Sequence, residues 1–374
     1  MATARKILPR QDSLLVLGFE SSCDETAASV LRRHANGRIE LLSNIVASQD
    51  EEHRPFGGVV PEIAARAHMR KLNHIIGKAV RTSGQNWDAI DGIAATAGPG
   101  LIGGVITGLM GAKGLSMALG KPLIAVNHLE GHALSPRLTE NCPFPYLLLL
   151  VSGGHSQLLS VTGLGRYERL GSTVDDAAGE AFDKTAKVMG LGFPGGPQVQ
   201  AWAERGNPNA IKLPRPMKGR DHADFSFAGL KTAVARAWNA SDQSDTAKAD
   251  IAASFQRAMT DSMIDRVGRA MIAYRRSTGE NGRARLVVAG GVAANTELRA
   301  ALKAIAEKRD FDFIAPPLKF CGDNAAMIAL AGAERLAAGL IDGPDAPARP
   351  RWPLDSQAAA SAPKSGFGKK GPKS

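Results

Sequence analysis

Aromatic residues are scarce in this sequence, at 5% of 374 positions, and there are only three cysteines. Cys23, Cys142 and Cys321 form no Cys-x-x-Cys pair. Their odd number argues against a disulfide framework, and a reducing compartment is expected. Long hydrophobic runs are also missing. The opening "MATARKILPRQ" holds no apolar signal core, and "LLVLGFE" is too short to be one. The apolar region 101–119 is interrupted by glycines and Lys113, so it does not read as a membrane span. These absences lead us to expect a cytoplasmic protein with no membrane partner. The phosphate-loop pattern GxxxxGK[ST] is absent. "GPGLIG" (Gly98–Gly103) does fit GxGxxG, but a dinucleotide site wants an acid about 20 residues further on. None stands between Gly103 and Glu130, which discounts that reading.

What is present points to two domains, the prior for this length. Apolar content is ordinary at 44%, and the 41 glycines fall in clusters, the pattern of tight turns and close backbone approaches. Net charge is +10, of which residues 343–374 contribute +4. A basic body suits a polyanion such as RNA, although a basic tail on an ordinary soluble protein accounts for the charge as well.

Two stretches share one layout. "LLVLGFESSCDETAASVL" and "YLLLLVSGGHSQLLSV" each run from an apolar segment through a small polar turn into a second β-prone segment. The repetition predicts two similar α/β domains, each opening with a hairpin whose turn faces a shared cleft. Helical periodicity follows in "PEIAARAHMRKLNHIIGKAV", with Pro61 in its first turn. "DAIDGIAATAGPGLIGGVITGLMGAKGLSMAL" and "RLVVAGGVAANTELRAAL" each read as strand, glycine turn and helix. "KPLIAVNHLEGHA" reads as a strand entering a short helix. "DDAAGEAFDKTAKVMGLG" and "DNAAMIALAGAERLAAG" read as helices, the latter as a final amphipathic one. Residues 1–13 read as a flexible leader. Residues 343–374, rich in Pro, Ala, Ser, Gly and Lys, read as a disordered basic tail.

Several groups of residues could carry chemistry. His128 and His132 stand four apart, on one face of a helix, where two imidazoles can converge on an ion. Two histidines capping a surface helix fit the spacing equally well. Glu130 lies two residues from each, turned to roughly the opposite face, which weakens a zinc-protease reading based on HExxH. Asp323 is a candidate third ligand, but just before a helix it also reads as an N-cap. The turns Val151–His155 and Ala289–Asn295 follow strands and can cradle anionic oxygens. Each alone is as well explained by a tight turn. Asp24 and Glu25 lie in the first hairpin turn. Asp175, Asp176, Glu180 and Asp183 lie along a helix, with the last three spaced to share a face; they read either as a solvated face or as acceptors. Arg205, Lys212, Arg215, Lys218, Arg220 and Lys231, with Phe225 and Phe227 among them, suit either RNA or a solvated loop.

Ten motifs, "ESSCDETA", "GGVVPEIAARAH", "GPGLIGGV", "VNHLEGH", "VSGGHSQL", "DDAAGEAFDKTAK", "GFPGG", "FSFAGLKTA", "GGVAAN" and "DNAAMIA", run in order from about residue 17 to 340. Together they resemble the TsaD (Gcp) family of tRNA threonylcarbamoyladenosine transferases. Ser21 and Gly322 depart from the threonine of many members. The resemblance implies an α/β fold of the duplicated actin/hexokinase-like (ASKHA) type, two similar domains around a central cleft. The expected division is 14–142 plus 322–342 for one domain and 143–321 for the other. It implies transfer of a threonylcarbamoyl group from threonylcarbamoyl-AMP to N6 of the adenosine 3′ of the anticodon in tRNAs reading ANN codons. Carried over by motif, His128, His132 and Asp323 would hold one divalent metal, iron, with zinc as the alternative. Leu150, Val151, Ser152, Gly153, Gly154, Asp183, Gly196 and Asn295 would hold the donor, and Asp24 and Glu25 would assist catalysis. The implied partners are tRNA, a TsaB-like paralogue and a TsaE-like ATPase, with the apolar face of the Pro61–Arg81 helix as a candidate docking surface. An ATPase or kinase of the same fold, a metalloprotease and a non-catalytic scaffold are the rival readings. The first leaves the histidine pair unexplained, the second suffers from the displaced Glu130, and the third would be expected to have lost the histidines.

Overall fold

The computed structural model describes residues 12–140 and 142–361. The chain divides into two compact units, one of residues 1–49, 59–141 and 323–352, the other of 50–58, 142–322 and 353–374. Most of the expected leader, residues 1–11, lies outside the described residues.

The first unit is built on a sheet of β1 (Ser13–Glu20), β2 (Thr26–His34), β3 (Ile39–Ala47), β4 (Gly92–Gly98) and β5 (Leu123–Asn127). Their order is β3-β2-β1-β4-β5. The β1–β2 and β2–β3 pairs are antiparallel, and the β1–β4 and β4–β5 pairs are parallel. Strand alternation sends Leu15, Leu17 and Phe19 to one face. There they pack with Leu72, Ile75 and Ile76 of α2 (Pro61–Ser83) and Leu109 and Ala112 of α3 (Ile102–Leu119). Gly18 points to the other face, against Ala329 of α10 (Ala325–Ala337). The expected amphipathic character of α10 is not found: every residue from Ala325 to Ala333 is buried. Small residues let this helix lie directly on the sheet, so no polar side is needed.

The second unit repeats the plan. Its sheet holds β6 (Tyr146–Val151), β7 (Ser156–Gly163), β8 (Arg166–Ser172), β9 (Ala284–Ala289) and β10 (Phe311–Ile314), ordered β10-β9-β6-β7-β8. β6–β7 and β7–β8 are antiparallel, while β6–β9 and β9–β10 are parallel. Read from β8, this is the order of the first sheet, so the duplication expected from the two hairpins is architectural. β6 reads "YLLLLV" and is buried throughout. The helices of this unit are α1 (Asp50–His53), α5 (Ala178–Val188), α6 (Gly195–Ala203), α7 (Ala228–Ala240), the 34-residue α8 (Asp245–Thr278), α9 (Thr296–Lys308) and α11 (Ser356–Ser361). Its core joins Leu147 and Leu149 of β6 to Phe182, Phe255, Met259 and Leu302.

The expectation of a disordered tail from residue 343 is corrected as far as Ser361. Ala346 is buried, and Ala348 and Trp352 pack on the first unit's core. Asp355 accepts from the backbone of Arg169 (2.8 Å), Gln357 and Ala358. Composition suggested disorder because it reports side chains, whereas this segment is held largely through its backbone. Residues 362–374 lie outside the described residues.

Candidate metal centre and glycine turns

β5 ends at Asn127, and α4 (His128–Leu134) begins at the next residue. The Asn127 side chain caps this helix by accepting from Leu129 N at 2.9 Å. All seven residues of α4 are buried, which rules out histidines capping a surface helix. One turn apart, His128 and His132 both aim Nε2 at Asp323: His132 Nε2 is 2.9 Å and His128 Nε2 3.5 Å from Asp323 Oδ1. Asp323 is not the cap of α10; Asn324 is, accepting from Met327 N.

Behind His128 stands a residue that sequence reasoning did not single out. Glu20, fully buried at the end of β1, accepts from His128 Nδ1 at 2.9 Å, from Thr96 Oγ1 at 2.6 Å and from Ser22 N at 2.6 Å. Ser22 Oγ lies 3.1 Å from the same His128 nitrogen. In the neutral imidazole a carboxylate on Nδ1 fixes the tautomer whose Nε2 is bare, the form that a cation selects by displacing the Nε2 proton. Burial would raise the Glu20 carboxyl, but the charge and hydrogen bond of His128 hold it below its ordinary value. Burial likewise opposes charge on His128, yet Asp323 and Glu20 lift its pKa to about 9. The only signal for Glu20 in the sequence was a glutamate ending an apolar strand.

The donor set suits a cation. One ligand atom from each of His128, His132 and Asp323 lies within 4.8 Å of the others. Two imidazoles and a carboxylate are borderline donors that suit first-row transition ions and leave coordination positions open. His132 Nδ1 is buried with no hydrogen-bond partner among the described residues. Glu130 instead faces Arg335, 3.3 Å from Oε1, so it is not a base beside this centre. Asp24 and Glu25 occupy the β1–β2 turn. Burial first, and then the charges of Asp323 and Asp24, push the Glu25 carboxyl well above its usual range.

In the second unit the expected donor-holding residues fall into four groups. Leu150 and Val151 are fully buried in β6, so only their backbone could meet a ligand. Ser152, Gly153 and Gly154 form the β6–β7 turn, closed by Ser152 N donating to His155 O at 2.8 Å. The carbonyls of Ser152 and Gly153 accept from Gly179 and Glu180 at the start of α5. Asp183 Oδ1 accepts from Gly195 N at 2.9 Å, tying α5 to the start of α6, which carries Gly196. Asn295 caps α9 by accepting from Leu298 N at 3.0 Å and donates to Gln256 at 2.7 Å.

Two expectations about this unit fail. Asp175 and Asp176 precede α5 rather than lying along it; Asp176 and Glu180 bind Lys184, whereas Asp183 turns to Gly195. Phe225 and Phe227 are buried, with stacked rings 5.7 Å apart, so neither is free to stack on a base. Among the basic residues, Arg215 is tied to Asp261 and Lys231 to Asp176.

Comparison with known proteins identifies the family. The family model described as "TsaD: tRNA N6-adenosine threonylcarbamoyltransferase" matches residues 40–330. The chain belongs to the TsaD family. A Maricaulis maris protein named tRNA N6-adenosine threonylcarbamoyltransferase is 58% identical over 363 residues, covering 96% of each chain. A Caulobacter vibrioides protein of the same name is 56% identical over 365 residues, covering 98% of this chain and 99% of its own. Membership makes the chain a transferase of the TsaD class. Among solved structures, HypF of T. kodakarensis aligns with a TM-score of 0.56 at 15% identity, covering 89% of this chain and 48% of its own. That likeness bears on the fold alone, which is the duplicated actin/hexokinase-like α/β fold.

Proposed function

We propose that this chain transfers the threonylcarbamoyl group from threonylcarbamoyl-AMP to N6 of the adenosine 3′ of the anticodon in ANN-reading tRNAs. His128, His132 and Asp323 hold the divalent metal it uses, iron, with zinc as the alternative. The observation that carries the reading is the convergence of those three side chains within 4.8 Å in a chain 58% identical to a named enzyme of this activity.

In the reaction, N6 bonds to the carbamoyl carbon, the bond from that carbon to the AMP phosphate oxygen breaks, and N6 loses a proton. An exocyclic adenine amine is a weak nucleophile, so the carbonyl must be held and polarised. A bound ion supplies Lewis acidity and a fixed point for the donor's carboxylate and hydroxyl. Glu20 keeps His128 in the tautomer that binds it. Gly153 and Gly154 of the β6–β7 turn and the first turn of α6 around Gly196, braced by Asp183, offer backbone N–H groups to the AMP phosphate. Leu150 and Val151 set that turn from within the sheet, and Asn295 shapes the neighbouring one as a cap. Asp24 and Glu25 assist at the reacting end.

The partners are a TsaB-like paralogue and a TsaE-like ATPase, and the compartment is the cytoplasm. None of the three cysteines forms a disulfide, which agrees with a reducing compartment. The docking surface expected on α2 needs revision, because its apolar side is packed into the core. The apolar stripe left outside is Ile102, Ile106, Met110 and Met117 of α3, with Met69 of α2, and it is assigned here to the paralogue.

The test is a transfer assay read by nucleoside mass spectrometry, with the two partners, synthetic threonylcarbamoyl-AMP and an unmodified ANN-decoding tRNA. Threonylcarbamoyladenosine is expected with the intact chain and not with His128→Ala. No product from either, with donor and tRNA intact, would reject the reading.

A further inference from the structure

The segment after α10 runs back over the edge of the first unit's sheet. β5 is a terminal strand, and an open strand edge is normally covered or blunted. Here the chain itself covers it. Asp342 N donates to Leu123 O at 2.8 Å, and Asp342 Oδ2 accepts from Ala125 N at 2.8 Å. Beyond that point the chain crosses the C-terminal ends of β4 and β5, where three anchors hold it. Arg349 N donates to Ala97 O at 2.7 Å, Gly100 N donates to Pro350 O at 3.3 Å, and Asn127 Nδ2 donates to Trp352 O at 2.9 Å. Lys113 of α3 adds a bond from Nζ to Ala346 O at 2.7 Å. The fit is close: a Cβ on Gly98 would come within 1.8 Å of Arg349 O. The Arg349 guanidinium lies over the Trp352 ring, 4.5 Å from its centroid.

The last anchor matters most. The two ends of the Asn127 side chain serve different masters. Oδ1 caps α4 through Leu129 N, and Nδ2 is fixed by the Trp352 carbonyl. Asn127 directly precedes His128, so the strap bears on the start of the helix that carries both histidines. We infer that residues 342–352 form a positioning strap for the candidate metal centre, acting through Asn127. The strap acts through the β5–α4 junction, holding it so that His128 and His132 keep their common aim. The inference rests on the metal reading proposed above.

The test uses the full chain and Zn2+ titrated against a chromophoric chelator, with amide hydrogen exchange of 127–134 measured without metal. Trp352→Ala loosens the strap away from the ligands. Asn127→Ser keeps a capping oxygen but is too short to reach the Trp352 carbonyl. Lys113→Met removes a distant anchor and is the gentlest of the three. Each is expected to weaken Zn2+ binding, Trp352→Ala and Asn127→Ser by about tenfold, as for groups that orient a ligand from outside, and to speed exchange in α4. The double variant Asn127→Ser/Trp352→Ala should be no worse than the poorer single one, because Trp352→Ala keeps the backbone carbonyl and acts on α4 only through the bond that Asn127→Ser already removes. Wild-type Zn2+ affinity and unchanged α4 exchange in variants that merely melt earlier would overturn the inference, leaving the strap as an edge cover. Equal Zn2+ binding by wild type and His132→Ala would instead sink the metal reading, and the exchange data alone would then decide whether the strap orders α4.

Discussion

His128 and Glu20 are separated by 108 positions in the chain and meet at 2.9 Å in the buried floor of the first unit. The bond occupies Nδ1 and turns Nε2 toward Asp323, the nitrogen that must give up its proton for His128 to serve as a ligand. Glu20→Gln retains size and an oxygen acceptor but removes the charge. Metal affinity is expected to fall tenfold to a hundredfold, the usual range for such an outer partner, while His128→Ala abolishes tight binding. Chelator competition on the two variants checks this, and a Glu20→Gln affinity equal to wild type would deny Glu20 the orienting role.

How far the site could be read from the sequence depended on distance along the chain. The histidine pair was legible because four residues is one helical turn. Asp323 was only half legible, since Asp and Asn side by side before a helix compete for one capping role; Asn324 takes it. Glu20 was not legible, because its link to His128 requires the β1–β4–β5 pairing that brings the strand ends together. Phe225 and Phe227 misled for a related reason: their spacing says nothing about whether the rings face solvent or core. The fold was legible in the two hairpins, whose polar turns interrupt apolar runs. The strap was not, because it is held through backbone atoms that composition does not report.

Close packing of α10 on the sheet makes a stability prediction. A Cβ on Gly18 would fall 2.5 Å from the backbone nitrogen of Ala329, and neither strand nor helix can give way locally. Gly18→Ala should cost about 1–3 kcal/mol, the range for overpacking a tight core, read as a lower urea midpoint at unchanged slope. Because Asp323 stands two residues before α10, part of the loss should appear as weaker metal binding. A variant as stable as wild type would mean that α10 can lift off the sheet without penalty.

Acid should weaken the second unit in a defined window. Burial alone would raise the Asp265 carboxyl, but its bonds to Arg266 and to Gly219 N, with the charge of Arg269 nearby, hold it below its ordinary value. A depressed folded pKa means the ionised group stabilises the fold. That stabilisation is complete above the unfolded value near 3.8 and drains away as pH falls through the lower folded value. Asp265→Asn should therefore lose stability at pH 7, by about 1–3 kcal/mol for weakened bonds to the fully buried Arg266. Its acid limb should be flatter than that of wild type. Parallel loss of stability in both proteins below pH 4 would assign the acid sensitivity elsewhere.

The exposed face of α3 carries the last prediction. By length and composition this helix could cross a membrane, yet its glycine-lined side fits against α2 and the β1–β2 turn: a Cβ on Gly103 would meet Ala65, and one on Gly108 would meet Ser21. Its other side leaves Ile106 at 46% and Met110 at 56% exposure, one helical turn apart. Isolated exposed apolar side chains need no explanation, but a stripe of four along one helix is the pattern that the proposed docking of the paralogue requires. Ile106→Asp or Met110→Asp should leave stability within about 0.5 kcal/mol, as for exposed positions, because both side chains are about half open to solvent. The same changes should abolish co-elution with the TsaB-like paralogue in gel filtration. An intact heterodimer carrying both substitutions would show that the partner docks on another face, and the stripe would then need a different occupant.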